Sequence, residues 1–421
     1  MKTSILRRGI IILITISSFL AAQSQELTSI PRINGDIKFD GIVNEACWEG
    51  AKRLHMVMHT PTFGNQPTEK SEVLIYYDNT FIYVGARLFD SKASKMLVTS
   101  KKRDEASNSN ESFSIIFDSF NDKENALVFS TTPSGLRSDL TVLNDAISNN
   151  PRNPPFNSSW NTFWDVKTTR DDNGWYLEMR IPFSSMRFKE DNGNVVMGLI
   201  CFRRIAHKNE VDIFPAIPPE WGLYSTYRPS KANEVAFEGI KSKKPFYIAP
   251  YVLTGYQQDN VINESGTAYE LKGSPKINAG LDAKYGLTNN LTLDVTVNTD
   301  FAQVEADDEE INLTRFSLFF PEKRTFFQER SSIFNFGFEG KSNIFYSRQI
   351  GLYKGEQVPI IGGARITGMA GKWDIGFLDL QTQTFDPTDT TQSSLPSENF
   401  GVLRLRRQVI NRNSYVGGIF T

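Results

Sequence analysis

The sequence lacks the short motifs by which many enzymes are recognised. It has no G-x-S-x-G elbow, no P-loop and no H-E-x-x-H pair, so the residues give no support for an autonomous enzyme. It has only 2 cysteines and 3 histidines. Cys47 and Cys201 stand in no CxxC or metal-ligand spacing. We therefore expect two separately buried thiols, although an exported chain could pair them.

Long hydrophobic runs are missing beyond the N-terminus. The run Gly9–Leu20 follows three basic residues and precedes small residues at 21–24. It is shorter than the roughly 20 apolar residues that a membrane-spanning helix needs. This pattern is typical of a cleaved export signal, and no cysteine follows that could carry a lipid anchor. Residues 1–24 are predicted to be a signal peptide, and the protein is expected to be exported.

The mature chain also lacks an excess of positive charge. The net charge is -2, and removing the three basic residues of the signal gives -2 - 3 = -5. A negative chain is a poor general partner for nucleic acid. Because no later apolar run could form a membrane helix, a mature chain that spans a membrane must do so as a closed β-barrel.

Residues 25–240 show the pattern of a β-sandwich, with short predicted strands of alternating apolar and polar residues separated by turn signals. In the strand at 175–181, Trp175, Leu177, Met179 and Ile181 lie on one apolar face. Trp175 is therefore expected in the core, as is Trp48. Residues 241–249 are a basic, proline-containing linker.

Residues 250–421 alternate more strictly. In the predicted hairpin at 277–298, one face is apolar and the other carries glycine, asparagine, aspartate and threonine, as the lumen face of a membrane barrel does. About 9–11 residues per strand allow at most six to eight strands here, whereas a closed barrel needs at least eight. We therefore expect part of an antiparallel transmembrane β-barrel, and the chain to be a fragment.

Residues 298–336 interrupt these strands with phenylalanines and clustered charges around Pro321. We favour an inward-folded loop with its phenylalanines on the wall and Glu322, Lys323, Arg324 and Arg330 paired in the lumen. A plug that gates the lumen or contacts a ligand is the alternative. Charge on the lipid face is disfavoured by about 2–4 kcal/mol at the midplane.

Two stretches of the chain resemble known families. The N-terminal part is similar to the family 9 carbohydrate-binding module and its relatives, through Phe39–Trp48, Glu72–Asp78, Phe81–Gly85, Asp90, Gly174–Glu178 and Ile181–Phe183. The part from Pro250 onward resembles an uncharacterised barrel-like domain of Gram-negative outer-membrane proteins. It does so through Asn298–Ala306, Asn312–Phe316, Phe319–Arg324, Phe326–Phe327, Phe345–Arg348 and Gly362–Arg365.

The resemblance implies a β-sandwich, affinity for a polysaccharide or oligosaccharide, and an outer-membrane location with the sandwich facing either the periplasm or the surface. Proteins of this arrangement are often labelled membrane-associated hydrolases, but no motif supports the label. The module's relatives often bind calcium. The acidic candidates are Asp104, Glu105, Glu111 and Asp118, with Asp90 and Asp122 nearby, although a solvated acidic face is the alternative.

Glycan recognition needs aromatic faces and nearby hydrogen-bonding groups. Trp160 and Trp164 lie in or beside a polar loop, and Trp221 follows a proline pair. Exposure on a loop would suit stacking on sugar, with Arg103 and Asn161 supplying hydrogen bonds.

Glycosidase chemistry would need two carboxylates across a cleft, roughly 5–9 Å apart. Glu178 is eligible, since it lies on the polar face of its strand. His55 and His59 share a strand face, but no third metal ligand follows them. The leading hypothesis is a carbohydrate-binding, outer-membrane-associated protein that supports polysaccharide use and requires no cofactor, with calcium as a candidate ligand. The alternatives are a hydrolase of glycosidic bonds, and a transport or secretion channel whose sandwich binds no sugar.

Overall fold

The structure is a computed structural model. It describes residues 27–35, 37–104, 109–148, 155–158, 160–241, 246–263, 265–288, 291–299, 322, 324–328, 331–334, 336, 344–353, 356–387, 393–410 and 414–421. The predicted signal peptide therefore lies outside the described residues.

The N-terminal half consists of short strands. They are β1 (Thr28–Ser29), β2 (Lys52–Leu54), β3 (Val57–Thr60), β4 (Ser71–Tyr77), β5 (Phe81–Phe89), β6 (Ser112–Asp118), β7 (Ala126–Thr131), β8 (Arg137–Val142), β9 (Phe156–Asn157), β10 (Asp165–Asp171), β11 (Gly174–Pro182), β12 (Glu190–Asp191), β13 (Asn194–Ile205), β14 (Glu210–Phe214) and β15 (Asn233–Glu238). Single 3₁₀ turns connect them at Ala46–Gly50, Ala93–Lys95, Asn144–Ala146, Phe183–Ser185, Ala206–Lys208, Pro219–Trp221, Ser225–Tyr227 and Pro229–Lys231.

These strands form two facing sheets. One has the order β1-β15-β13-β6-β7-β8-β9, with β12 and β14 paired to β13 and with β3 paired to β14. The other has the order β10-β11-β5-β4-β2. The apolar faces of both sheets share one buried cluster, as in a β-sandwich. The predicted all-β sandwich is confirmed.

Strand β11 shows how the alternation builds this core. Trp175, Leu177, Met179 and Ile181 are all fully buried on its inner face, and each buried aliphatic side chain contributes about 1.5–3 kcal/mol. The predicted core position of Trp175 is confirmed. Trp48 is also buried, and its ring packs against Tyr76 with the centroids 5.8 Å apart. Cys201 is buried and Cys47 partly so, and neither forms a disulfide with the other, as expected.

The C-terminal half is a single antiparallel sheet. Its strands are β16 (Phe246–Ile262), β17 (Tyr269–Thr288), β18 (Leu291–Val297), β21 (Ile360–Ala370), β22 (Trp373–Thr382), β23 (Asn399–Gln408) and β24 (Tyr415–Phe420), paired in that order. The short pair β19 (Leu352–Tyr353) and β20 (Glu356–Gln357) stands apart. Within the described residues the edge strands β16 and β24 do not pair with each other, so the sheet is open and closure into a barrel is not shown.

Strands β17 and β18 are inverted relative to those of a water-soluble sheet, whereas β22 buries the apolar Leu378 and Leu380. In β18 the polar residues Thr292, Asp294 and Thr296 are buried, whereas Val295 and Val297 on the opposite face are exposed. The same parity holds in β17, where the apolar residues at 277, 279, 281 and 285 are exposed and Gly286 on the other face is buried. A sheet in water normally buries its apolar face.

The buried polar face is covered by the described part of residues 322–336, which contains helix α1 (Thr325–Gln328) and a 3₁₀ turn at Ser331–Phe334. Phe326, Phe327 and Phe334 cluster there with Leu378 and Leu380. Arg324 is buried and pairs with Glu322 at 2.9 Å. These contacts agree with the inward-folded loop, while Lys323, Arg330 and residues 300–321 lie outside the described residues.

The sandwich touches the same polar face through one ion-pair network. Arg406 of β23 donates to Glu124 of the sandwich at 2.6 Å and to Asp374 of β22 at 2.8 Å. Among the described residues, no helix is both long and apolar enough to cross a membrane.

Candidate functional site

A cavity of about 660 Å³ lies where the sandwich meets the C-terminal sheet. One wall comes from residues 160–163 and from Ser184, Ser185 and Arg187, which follow β11. The opposite wall comes from β16, β17 and β18. Its volume falls within the range of roughly 300–1,000 Å³ that is usual for small-ligand sites.

Aromatic rings line both walls. Trp160 lines the cavity and packs edge-on against core residue Phe129 with the centroids 6.1 Å apart, so it is partly anchored. Phe163 is 87% exposed and lines the same space. Tyr247 of β16 faces it from the other wall. An apolar ring left this exposed beside a cavity is typical of a ligand-contact residue.

Arg103 braces the loop that carries these rings. Its guanidinium donates to Asn161 Oδ1 at 2.9 Å and to the Thr162 carbonyl at 3.2 Å, and it also pairs with buried Asp139. Burial raises the pKa of the Asp139 carboxyl, and Arg103 opposes that shift. Three of the predicted glycan residues, Arg103, Trp160 and Asn161, are thus brought together.

The second wall is polar, and its charged groups form ion pairs and hydrogen bonds within the sheet. Asp294 pairs with Arg365 at 3.0 Å and with Lys284 at 3.4 Å. Asp282 accepts a hydrogen bond from Thr296 Oγ1 at 2.6 Å. Asp282, Lys284 and Asp294 all line the cavity, so charged and hydrogen-bonding groups face the aromatic wall.

The other two predicted tryptophans lie elsewhere. Trp164 is only 2% exposed and packs edge-on against Phe129 with the centroids 5.4 Å apart, so its expected exposure is wrong. The physical reason is that β10 starts at the next residue and turns this ring into the core. Trp221 is 43% exposed, but it does not line the cavity among the described residues, and Lys231 Nζ lies 3.4 Å from its ring centroid.

The residues predicted to bind calcium do not form one site. Glu111 precedes β6 and Asp118 ends it, so about seven strand steps of roughly 3.3 Å separate them, or about 23 Å. Asp104 is a turn residue that contacts Arg103 at 3.4 Å, and Glu105 lies outside the described residues.

Asp118 has a local structural role. Its carboxylate accepts the backbone N–H groups of Asp122 and Lys123 at 3.0 and 2.8 Å. Burial, together with the nearby negative charge of Asp122, raises the pKa of Asp118 well above its usual range. This carboxylate therefore holds the turn after β6. Glu111 instead meets Asp90 and His207, a residue that the sequence reasoning missed.

Glu178 and His59, the other buried candidates, make structural contacts. Glu178 Oε2 accepts the backbone N–H groups of Asp40 and Gly41, each at 2.9 Å, and burial raises its pKa. His59 is buried, with Nδ1 2.8 Å from the Ile217 carbonyl. Sequence reasoning also missed Phe163, although its place between Trp160 and Trp164 in an aromatic-rich loop was an available signal.

Comparison with protein families identifies part of the C-terminal half. Residues 247–361 match a family described as a domain of unknown function, DUF5916. This segment is less than half of the chain and carries no described activity. No curated protein matches the chain.

Comparison with solved structures gives distant likenesses. A carbohydrate-binding module of family 9 from Caldicellulosiruptor kristjanssonii, in complex with cellotriose, is 14% identical, with 51% of this chain and 95% of the module covered and a TM-score of 0.36. The same kind of module from this organism, in complex with glucose, is 15% identical, with 52% and 98% covered and a TM-score of 0.35. A protein from Bacteroides uniformis is 12% identical, with 51% and 100% covered and a TM-score of 0.39. At these values the likeness identifies no ligand for this chain.

Proposed function

We propose that the protein binds a carbohydrate in the cavity between the sandwich and the C-terminal sheet. The observation that carries this proposal is the pairing of an exposed ring, Phe163, and a half-buried ring, Trp160, with the polar wall of Asp282 and Lys284. A sugar offers an apolar C–H face and a rim of hydroxyls. A site with rings on one side and hydrogen-bonding groups on the other complements both.

The proposal places the C-terminal sheet in the outer membrane. Its exposed apolar face has the alternation of a lipid-facing barrel wall. On β16 this face begins with Phe246 and reaches Tyr256 ten residues later, both exposed. Ten strand steps of about 3.4 Å, tilted by about 35–45°, span about 24–28 Å, close to the apolar band of about 25 Å that aromatic girdles border in such barrels.

Connection lengths support a periplasmic sandwich. At the end of the sheet next to the sandwich, β17 ends at Thr288 and β18 begins at Leu291, while β21 ends at Ala370 and β22 begins at Trp373. At the far end, residues 298–359 and 383–398 connect the strands. Outer-membrane barrels have short periplasmic turns and longer extracellular loops, so the cavity would open toward the periplasm. There it could take oligosaccharide that has already crossed the membrane.

A glycan array probed with the full chain in detergent, followed by titration with the best oligosaccharide, tests the proposal. Phe163→Ala should weaken binding about tenfold, or about 1.4 kcal/mol, if this ring is one of the few contacts that carry most of the binding energy. Trp221→Ala is the matched control, because this aromatic is also exposed but does not belong to the described cavity lining. It should leave the affinity unchanged.

The results separate the alternatives. If the Phe163→Ala protein and the wild type bound the oligosaccharide with equal affinity, the cavity would be excluded as the sugar-binding site. No array signal, together with ion conductance in a planar bilayer, would favour the channel. Release of reducing sugar from a bound polysaccharide would favour the hydrolase.

A further inference from the structure

Three side chains meet at the end of the sandwich that lies far from the cavity. Asp90 follows β5, Glu111 precedes β6, and His207 lies in the 3₁₀ turn after β13. One donor atom from each lies within 4.8 Å of the others. Asp90 follows the central strand of one sheet, while Glu111 and His207 adjoin strands of the other, so this cluster joins the two layers.

Two of the three groups are buried and His207 is partly buried, and their hydrogen bonding is incomplete. Asp90 is 1% exposed and Glu111 is 0% exposed. Within the described part of the chain, Asp90 Oδ2, Glu111 Oε2 and His207 Nε2 have no hydrogen-bond partner. Each such buried group normally costs about 1–3 kcal/mol. Three of them in one cluster therefore point to a ligand that all three share.

The imidazole is oriented for metal binding. His207 Nδ1 lies 3.0 Å from Glu111 Oε1, and Nε2 lies 3.6 Å from Asp90 Oδ1. If Nδ1–H donates to Glu111, the lone pair of Nε2 is directed at Asp90. Metal-binding histidines commonly have this arrangement, with the second ring nitrogen donating to a carboxylate.

The neighbouring cations donate their hydrogen bonds to other groups, and Arg203 Nε has no partner among the described residues. Arg203 is attracted to Asp90 and Glu111, but its guanidinium donates to the Phe89 carbonyl at 2.6 Å and to Ser71 Oγ at 3.0 Å. Lys208 pairs with Glu69. Neither cation donates a hydrogen bond to Asp90 or Glu111 in the described structure. A divalent cation would balance the negative charge of these two carboxylates.

We infer that Asp90, Glu111 and His207 form a divalent transition-metal site of the zinc type, which fastens the two sheets together. Mixed imidazole and carboxylate donors suit zinc and its neighbours, whereas calcium takes oxygen ligands. Zinc donors at about 2.0–2.2 Å from the ion stand about 3.4 Å apart in a tetrahedron. Side-chain adjustments of about 1 Å would therefore close the cluster on an ion.

The test uses the untagged full chain in detergent, stripped with EDTA and dialysed against Zn²⁺ alone or Ca²⁺ alone. We expect one equivalent of Zn²⁺ by mass spectrometry, a rise in the thermal unfolding midpoint with Zn²⁺, and no comparable retention of Ca²⁺. His207→Gln should weaken Zn²⁺ retention at least tenfold, since even loss of an indirect partner costs 10–100-fold. It should also abolish the Zn²⁺-dependent thermal shift.

His55→Gln is the matched control, because this histidine is exposed elsewhere on the sandwich; it should behave as the wild type. If His207→Gln fails to fold, Asp90→Asn serves as the second variant with the same expected loss. Absence of bound Zn²⁺ in the wild type, equal retention in the His207 variant, or preferential retention of Ca²⁺ would each overturn the inference. The inference would also be overturned if His207→Gln lowered the thermal unfolding midpoint by the same amount in Zn²⁺ and in EDTA, because loss of an ion pair alone would give that result.

Discussion

Replacing Val252 by arginine distinguishes a lipid-facing sheet from a water-facing one. Val252 is 72% exposed, on the apolar face of β16, and it lies close to midway between Phe246 and Tyr256. If this face meets water, the substitution should change the free energy of unfolding by about 0.5 kcal/mol or less, as at other surface sites. If it meets lipid near the midplane, the arginine should destabilise the protein by about 2–4 kcal/mol.

Ile262→Arg is the matched control on the same strand and the same face. Ile262 is 55% exposed, and it lies six strand steps beyond Tyr256. At about 3.4 Å per step and a tilt of about 40°, it is about 16 Å outside the proposed band. Its cost should therefore be about 0–1 kcal/mol, the value found near the interface.

The assay is equilibrium guanidinium unfolding of the full chain in phosphatidylcholine vesicles, followed by intrinsic fluorescence, with vesicle flotation as a second readout. A Val252→Arg protein as stable as the wild type and as Ile262→Arg would refute the membrane placement.

Three further predictions follow from the sandwich and its contacts. Trp164→Ala should lower the free energy of unfolding by about 3–5 kcal/mol, since a buried ring is removed, and denaturant unfolding checks this; a surface-like loss below about 1 kcal/mol would contradict the burial. Burial and the negative charge of Glu210 raise the pKa of Asp212 to about 8. The folded state therefore keeps a proton that the unfolded chain releases near pH 4, and stability should fall as pH rises from about 4 to 8, by at most about 1.4 kcal/mol per pH unit. Asp212→Asn should flatten this part of a stability–pH profile, and an unchanged slope would exclude Asp212 as its source. Glu124→Gln removes the charged partner of Arg406 and should speed proteolytic cleavage between residues 241 and 246, measured against the wild type by mass spectrometry; equal cleavage rates would show that this pair does not hold the two parts together.

Local alternation predicted much of the fold because strand faces repeat every two residues. The pattern at 175–181 placed Trp175 and its neighbours in the core, and the pattern at 277–298 separated apolar from polar residues. Alternation cannot tell which face is buried, and in β18 the polar face is the buried one. Only the packing of Phe326 and Phe334 against the sheet shows this.

The candidate sites were harder to predict because they join residues that are distant in sequence. Trp160 and Asn161 were named from their loop, but the opposite wall with Asp282 and Lys284 depends on how the sheet meets the sandwich. Trp164 was misplaced because a loop-like composition does not show where the next strand begins. His207 was missed because its partners lie 96 and 117 positions away, as 207 - 111 = 96 and 207 - 90 = 117 show.

The positions of the cavity and the metal cluster assign them different roles. Glu111 stands before β6, whereas Ser119, which lines the cavity, follows that strand. Eight strand steps of about 3.3 Å hold them about 26 Å apart. Substitutions that far apart usually act independently, so the double variant of His207→Gln and Phe163→Ala should show additive changes in stability. Removal of metal should leave the affinity for sugar unchanged at temperatures where the sandwich stays folded.

A metal that bridged to sugar hydroxyls would have to lie in the cavity, and the described carboxylates there are already paired with Arg365, Lys284 and Thr296. The Asp90–Glu111–His207 cluster is therefore better explained as a metal site that joins the two sheets than as part of sugar recognition.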